Sequence, residues 1–255
     1  MERSRINLPS GYRLASYDAV GSTNAEALRL AGAGEPGALW VWAARQEAGK
    51  GRSGRGWSSP PGNLYASLLI RPRVPLTIVM QLSLLAGVAA HDALAKLTGG
   101  ALDIRLKWPN DILLGKAKLG GILLESANGG TPDDPAVVIG TGLNLADAPR
   151  DLGRAVASLA AHGHCVSAEA ALEALAHTTA EWLSRWRSGE AFDLIRAAWA
   201  DRAQPIGQPL SVHLGSDRLS GSFLGIDETG ALRLSLANGE ERRITAGDVS
   251  IGAGA

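Results

Sequence analysis

The segment Gly49-Lys50-Gly51-Arg52-Ser53-Gly54-Arg55-Gly56-Trp57 sets four glycines and three cations within nine residues. Glycine lets backbone N–H groups approach an anion without side-chain obstruction. Lys50, Arg52 and Arg55 supply positive charge, and an arginine can grip a phosphate with two parallel hydrogen bonds. Trp57 adds a flat face for stacking a base. Repelling cations on a glycine-rich backbone predict a loop that is mobile when empty and orders around an anionic ligand. The run lacks the Gly-x-x-x-x-Gly-Lys-Ser/Thr spacing of a Walker A loop. It is not a dinucleotide fingerprint either, because Ser58-Ser59-Pro60-Pro61-Gly62 breaks the helix that would have to follow. Alone, the run is a moderate signal that a solvated surface loop or a nucleic-acid tail would also give, so the flanking segments decide.

Upstream, Thr23-Asn24-Ala25-Glu26 has capping-box spacing and opens a helix through Ala31, stopped by Gly32 and Gly34. Leu39 to Trp42 reads as a strand ending by Arg45. Downstream, Leu64 to Ile70 is an apolar strand closed by Pro72, and Ile104 to Trp108 is a strand ending at Pro109. Ile112 to Leu114 and Leu119 to Leu124 flank Gly115-Lys116-Ala117-Lys118, which suggests a hairpin. Val137 to Ile139 is a strand leading into Gly140-Thr141-Gly142, a turn candidate. Ser167 to Trp199 is helical, with Gly189 separating two helices and Trp182, Trp186, Phe192, Ile195 and Trp199 as core. Beyond Gln204-Pro205, short alternating strands split by glycines predict a small all-β barrel. The expected division is residues 1–203 and 204–255.

Composition narrows the function. Nearly half of the 255 residues are apolar, and 25 Lys and Arg balance 25 Asp and Glu. Bulk charge therefore predicts no nucleic-acid or membrane partner. Leu76 to Leu97 is long and apolar but carries Gln81, His91, Asp92 and Lys96, which predicts a buried amphipathic helix. Met1 to Arg5 shows no apolar signal segment. The single Cys165 excludes an internal disulfide, fits a reducing, cytoplasmic setting, and reads as a small apolar residue.

Four further clusters accompany the glycine-basic run. Lys107-Trp108-Pro109-Asn110-Asp111 places a cation, an amide and a carboxylate at a strand end. Lys118-Leu119-Gly120-Gly121 opens an apolar strand that ends at Glu125. Gly140 to Asn144 and Ser22-Thr23-Asn24 complete the set, though as isolated motifs they read as a turn and a helix cap.

Taken in order with Gln46, these five motifs resemble the biotin–protein ligases over nearly the whole chain. The resemblance implies an α+β fold: a catalytic domain like that of class II aminoacyl-tRNA synthetases, with a mixed, mainly antiparallel sheet, and an SH3-like C-terminal β-barrel. It implies that biotin and MgATP give biotinyl-5′-adenylate, which acylates a lysine of a biotin carboxyl carrier protein or domain of the acetyl-CoA carboxylase type. Thr23 and Gln46 would bond the ureido ring, with Ser22 and Asn24 nearby. Gly49, Lys50 and Gly121 would lie close to biotin. Arg52 and Arg55 would close over phosphate, with Lys107 and Asn110 on the nucleotide side. Trp57 would stack near adenine and Asn144 would contact the nucleotide. Lys118 would serve the biotin carboxylate and α-phosphate. Asp111 would help deprotonate the acceptor lysine. Lys50 stands where the family often has arginine, and Gly56 adds a glycine before Trp57, which predicts a looser loop. The resemblance names no metal ligands for magnesium and leaves monomer and homodimer open. A lipoate- or octanoate-transferring relative is the main rival. The roughly twenty residues before Ser22 are too few for the winged helix of a biotin-responsive repressor.

Overall fold

The computed structural model describes residues 6–127, 135–149, 155–215 and 217–252; Met1 to Arg5 lies outside them. A seven-stranded sheet carries the larger part of the chain. Its strands are β1 (Arg13–Tyr17), β2 (Leu39–Ala43), β3 (Leu64–Ile70), β4 (Ile104–Lys107), β5 (Asp111–Leu114), β6 (Ala117–Ala127) and β7 (Ala136–Leu143). They lie in the order β1-β2-β3-β7-β6-β5-β4. Only the β1–β2 pair is parallel; the other pairs are antiparallel. The sheet is therefore mixed and mainly antiparallel.

Buried on both faces, β2 and β3 read as near-continuous apolar runs. Period-two alternation divides β3: Leu64, Ala66, Leu68 and Ile70 enter the main core, while Leu69 faces a second cluster with Ala27 and Ala31. Those two alanines belong to helix α1 (Thr23–Gly32), which covers one face of the sheet. Its cap is Ser22, one residue earlier than the capping-box spacing suggests, and no side chain makes a cap hydrogen bond. The Thr23 hydroxyl is instead drawn into the sheet, as described below.

The opposite face carries α2 (Leu76–Val79), α3 (Gln81–Thr98), α4 (Ala168–Trp186) and α5 (Phe192–Arg202). By length and composition the Leu76–Thr98 stretch could cross a bilayer. Most of it is buried between the sheet and α4 and α5, with Leu82, Leu85, Val88 and Leu94 fully enclosed. The expected amphipathic helix thus has a narrow polar stripe, because it has neighbours on three sides. Each such side chain contributes roughly 1.5–3 kcal/mol by leaving water. Asp92 completes the packing: Trp182 Nε1 donates to it from α4 at 3.0 Å, and Arg202 Nε from α5 at 2.7 Å. Burial raises its pKa, but hydrogen bonds from His91, Arg202 and Trp182 prevail and hold it at about 2.

The C-terminal part forms an antiparallel five-stranded sheet from β8 (Pro209–Leu214), β9 (Asp217–Ile226), β10 (Leu232–Leu236), β11 (Glu241–Ile244) and β12 (Asp248–Ile251), ordered β11-β10-β9-β8-β12. It sits against the larger, N-terminal part of the chain: Trp108 Nε1 donates to the Gly230 carbonyl at 3.0 Å, and Trp199 meets Phe223 edge-on. Cys165, expected as a small apolar residue, is exposed.

Candidate active site

A cavity of about 260 Å³ opens where α1, the glycine-basic loop, β5, β6, β7 and β12 converge. It gathers Ser22, Thr23, Asn24, Gln46, Lys50, Arg52, Arg55, Trp57, Lys107, Asn110, Asp111, Lys118 and Gly121 on one surface. Five of its lining side chains are cationic and two, Asp111 and Asp248, are carboxylates. The excess of positive charge suits a polyanion.

One end is polar but neutral. Thr23 N donates to Gln46 Oε1 at 2.8 Å, and Gln46 Nε2 donates to Ser59 Oγ at 3.0 Å. Ser67 Oγ, fully buried on β3, lies 2.7 Å from Thr23 Oγ1 and 2.6 Å from Asn24 Oδ1. Asn24 Nδ2 donates to the Leu123 carbonyl at 3.2 Å and to Glu125 Oε2 at 2.7 Å.

At the other end are Lys107, Asp111 and Lys118. Asp111 bonds Lys118 through Oδ1 and Lys107 through Oδ2, the latter at 2.7 Å. These three side chains are only 14, 11 and 13 % exposed in chain order. Burial raises the Asp111 pKa, but the charges of Lys118 and Lys107 outweigh it and hold the carboxyl below its ordinary value. Lys107 also donates to the Val249 carbonyl at 2.7 Å. Lys118 and Leu123 are five residues apart on β6, roughly 16 Å of extended strand.

Between the two ends the floor is glycine. Gly140-Thr141-Gly142, expected as a turn, is the middle of β7 and pairs with both β3 and β6. A Cβ at Gly140 would strike the Asn24 side chain, and one at Gly142 would lie 2.8 Å from the Trp57 ring. Glycine is required there for close approach, not for a bend. Trp57 in turn has the Lys118 ammonium 5.5 Å from its ring centre. Gly49 is outside the cavity wall, and a Cβ there would collide with the Trp57 carbonyl and Ser59 Oγ. Asn144 is also outside: it is buried, and its Nδ2 donates to the Ala157 carbonyl at 3.1 Å.

The glycine-basic loop is clamped. Lys50 and Gly56 form a bridge, Arg52 Nη1 donates to Asn110 Oδ1 at 3.4 Å, and Arg52 Nη2 donates to the Gly247 carbonyl at 3.2 Å. Arg55 Nη2 donates to Asp248 Oδ1 at 2.8 Å. The anion that the sequence leads one to expect from a ligand is thus supplied by the C-terminal sheet.

A model of the biotin/lipoate A/B protein ligase family matches residues 22–144, and one of the biotin protein ligase C-terminal domain matches residues 206–252. A biotin–[acetyl-CoA-carboxylase] ligase of Paracoccus denitrificans is 43% identical over 220 residues, covering 84% of this chain and 90% of that protein. The chain belongs to the biotin protein ligase family. A bifunctional ligase/repressor of Bacillus subtilis is 32% identical over 249 residues, covering 95% of this chain and 75% of that protein. The solved structure of a biotin protein ligase from Aquifex aeolicus in complex with biotin and ATP shares the fold. Its TM-score is 0.79 at 24% identity, covering 95% of this chain and 99% of that one.

Within this ligase fold, sequence reasoning missed Ser67, Tyr65, Gly247 and Asp248. Ser67 left a signal: it is the lone small hydroxyl in an otherwise apolar strand. Tyr65 lines the cavity and donates to the Pro60 carbonyl at 2.7 Å, and burial pushes its phenol up to about 12. Gly247 and Asp248 left no local signal, because their partners lie almost 200 residues away.

Proposed function

We propose that the chain activates biotin with MgATP to biotinyl-5′-AMP and transfers the biotinyl group to a lysine of a biotin carboxyl carrier protein or domain of the acetyl-CoA carboxylase type. The observation that carries this reading is a single cavity with an uncharged hydrogen-bonding end at Thr23 and Gln46 and a cationic end at Lys107 and Lys118, joined along β6. Biotin has matching ends: a ureido ring and a carboxylate, joined by an alkyl chain.

In this reading Thr23 and Gln46 hold the ureido ring, and Gly121 and the glycine floor admit the alkyl chain. A carboxylate oxygen attacks the α-phosphorus in line, a P–O bond forms, and pyrophosphate leaves. Two anions must meet, so positioning and charge are the chain's contribution. Lys118 faces both reacting groups, Arg52 and Arg55 hold the phosphates, and Trp57 supports the base. Magnesium arrives with ATP; among the described residues no cluster of three His, Cys, Asp or Glu would hold it independently. The acceptor amine then attacks the acyl carbon, AMP leaves, and the amine loses a proton. With its pKa lowered, Asp111 is a weak base, and its part in transfer is to attract and orient the incoming amine. The loop residues Gly49 and Lys50 act through backbone position. Asn144 braces the turn after β7 through its Nδ2, and its Oδ1, which has no partner within the protein, is the atom that would contact the nucleotide.

We assign adenylation to residues 1–203 and loop support to residues 204–255. A cytoplasmic setting suits the lone exposed thiol, and the balanced charge suits a protein that uses neither nucleic acid nor membrane. As β1 ends the large sheet, a homodimer would form through that edge. The deciding experiment is ATP-dependent transfer of labelled biotin to a carrier domain with lipoate as competitor. Transfer of biotin unaffected by excess lipoate is expected; equal transfer of lipoate would overturn the assignment.

A further inference from the structure

The protons at the neutral end of the cavity have one self-consistent arrangement. Asn24 Nδ2 faces the Leu123 carbonyl and Glu125. A carbonyl only accepts, so the amide NH2 must point there and Oδ1 must point away. Oδ1 meets Ser67 Oγ at 2.6 Å, which commits the single Ser67 proton to Asn24. Ser67 Oγ is also 2.7 Å from Thr23 Oγ1. Two lone pairs at that distance would repel, so Thr23 donates to Ser67. Thr23 then has no proton for Gln46 Oε1, 3.1 Å away. That oxygen accepts the Thr23 backbone N–H instead.

Gln46 is fixed from its other side by the same logic. Ser59 Oγ donates to the Trp57 carbonyl at 3.1 Å and therefore accepts from Gln46 Nε2. Both chains of hydrogen bonds are anchored on backbone carbonyls, which cannot reverse. Thr23 Oγ1 and Gln46 Oε1, both at the cavity wall, are left with lone pairs and no proton to offer.

We infer that Ser67, Asn24 and Glu125 are positioning residues that make Thr23 and Gln46 a pair of obligate acceptors, so that the site selects a ring presenting two N–H donors. A cyclic urea meets this requirement. A dithiolane has no N–H and leaves both acceptors unpaired, and a ring with oxygen at either position sets lone pair against lone pair. The inference rests on the biotin reading and adds the source of its selectivity. It also changes the role of Asn24, whose two amide protons are both engaged by the protein, so that it has no donor left for a ligand.

The test is calorimetric binding to the full chain of biotin and of its two ring carbamates, each replacing one ureido N–H by oxygen. Wild-type protein is expected to bind each carbamate ~100-fold or more weaker than biotin, since a buried acceptor loses its donor. In Ser67→Ala the Thr23 proton is released and can turn to meet oxygen. Discrimination against the carbamate facing Thr23 then falls at least ~10-fold, while that against the carbamate facing Gln46 persists. Tolerance of either carbamate by the wild type to within about threefold of biotin would overturn the inference without any variant having to fold. Equal discrimination in wild type and Ser67→Ala would also overturn it. A wild-type protein that binds no biotin would instead refute the underlying functional reading.

Discussion

The cationic end of the cavity is built in two different ways. Lys107, Asp111 and Lys118 stand on paired strands, nearly buried, with Asp111 bridging both ammonium groups. Arg52 and Arg55 stand on a loop of four glycines and are held by Gly247 and Asp248 of the C-terminal sheet. The strand-borne charges are positioned whether or not a ligand is bound, and their attraction acts in a poorly screened interior. The loop-borne charges are more exposed, and Arg55 rests on a carboxylate that a phosphate can replace. In the proposed reaction, which must bring anions together and then retain a hydrolysable product, the fixed charge would serve the chemistry and the movable charge would serve as a lid.

Four perturbations would break or sharpen this contrast. The largest effect is expected for Lys118→Ala, with single-turnover adenylate synthesis falling ~100- to 1,000-fold, the usual loss for one preorganised donor. Near-wild-type synthesis would show that the fixed charge is not the one that acts. Next comes Asp111→Asn, which leaves two neighbouring ammonium groups with no carboxylate between them. A stability loss of about 3 kcal/mol is expected in denaturant titration, together with a larger defect in lysine transfer than in adenylation. Equal defects in both steps would place Asp111 on nucleotide binding alone.

The pH dependence of that bridge has a definite sign. Because the folded pKa of Asp111 is lowered from 3.8, its contribution is present above the unfolded value and is lost as pH falls through the folded one. Titration of the Asp111 carboxyl is therefore not expected to produce an activity loss between pH 8 and 5, and a pH profile of adenylate synthesis checks this.

Arg52→Gly is expected to act on retention more than on synthesis. Released adenylate, measured by labelling of bystander lysines, should rise about tenfold, the cost of one charge-assisted hydrogen bond. Unchanged retention would deny the loop its lid role. The smallest effect is expected for Asp248→Asn. Half-exposed pairs of this kind are worth about 0.2–1 kcal/mol, so the KM for ATP should shift less than about fivefold. A larger shift would mean that the C-terminal sheet does more than rest against the loop.

The same contrast marks what could be read from the chain. Strand-borne features were legible because local pattern dictates them: Leu64 to Ile70 is β3 as expected, and Lys107 and Asp111 end and begin adjacent strands. The Trp182, Trp186 and Trp199 core followed from helical spacing. The short β1 was not legible, since five half-exposed residues carry little apolar period. Gly140 to Gly142 misled because glycine usually signals a turn, whereas here it makes room for Asn24 and Trp57. Asn144 shows a bracing role that its motif did not announce, with Nδ2 donating to the Ala157 carbonyl. The clamp on Arg55 and the Ser67 junction depend on contacts distant in sequence, and no local rule reports those.

Two missing methyl groups in β7 have a consequence for how this chain can vary. Most strand positions tolerate a slightly larger apolar residue by local repacking. Gly140 and Gly142 have no such latitude, because the atoms facing them come from Asn24 of α1 and the loop tryptophan, both on the cavity wall. An alanine at Gly142 would press on Trp57, and through it on the glycine-basic loop, before any substrate arrives. Mutational drift in the middle of a buried strand would thus be felt first as altered chemistry at the surface cavity, and only afterwards as lost stability.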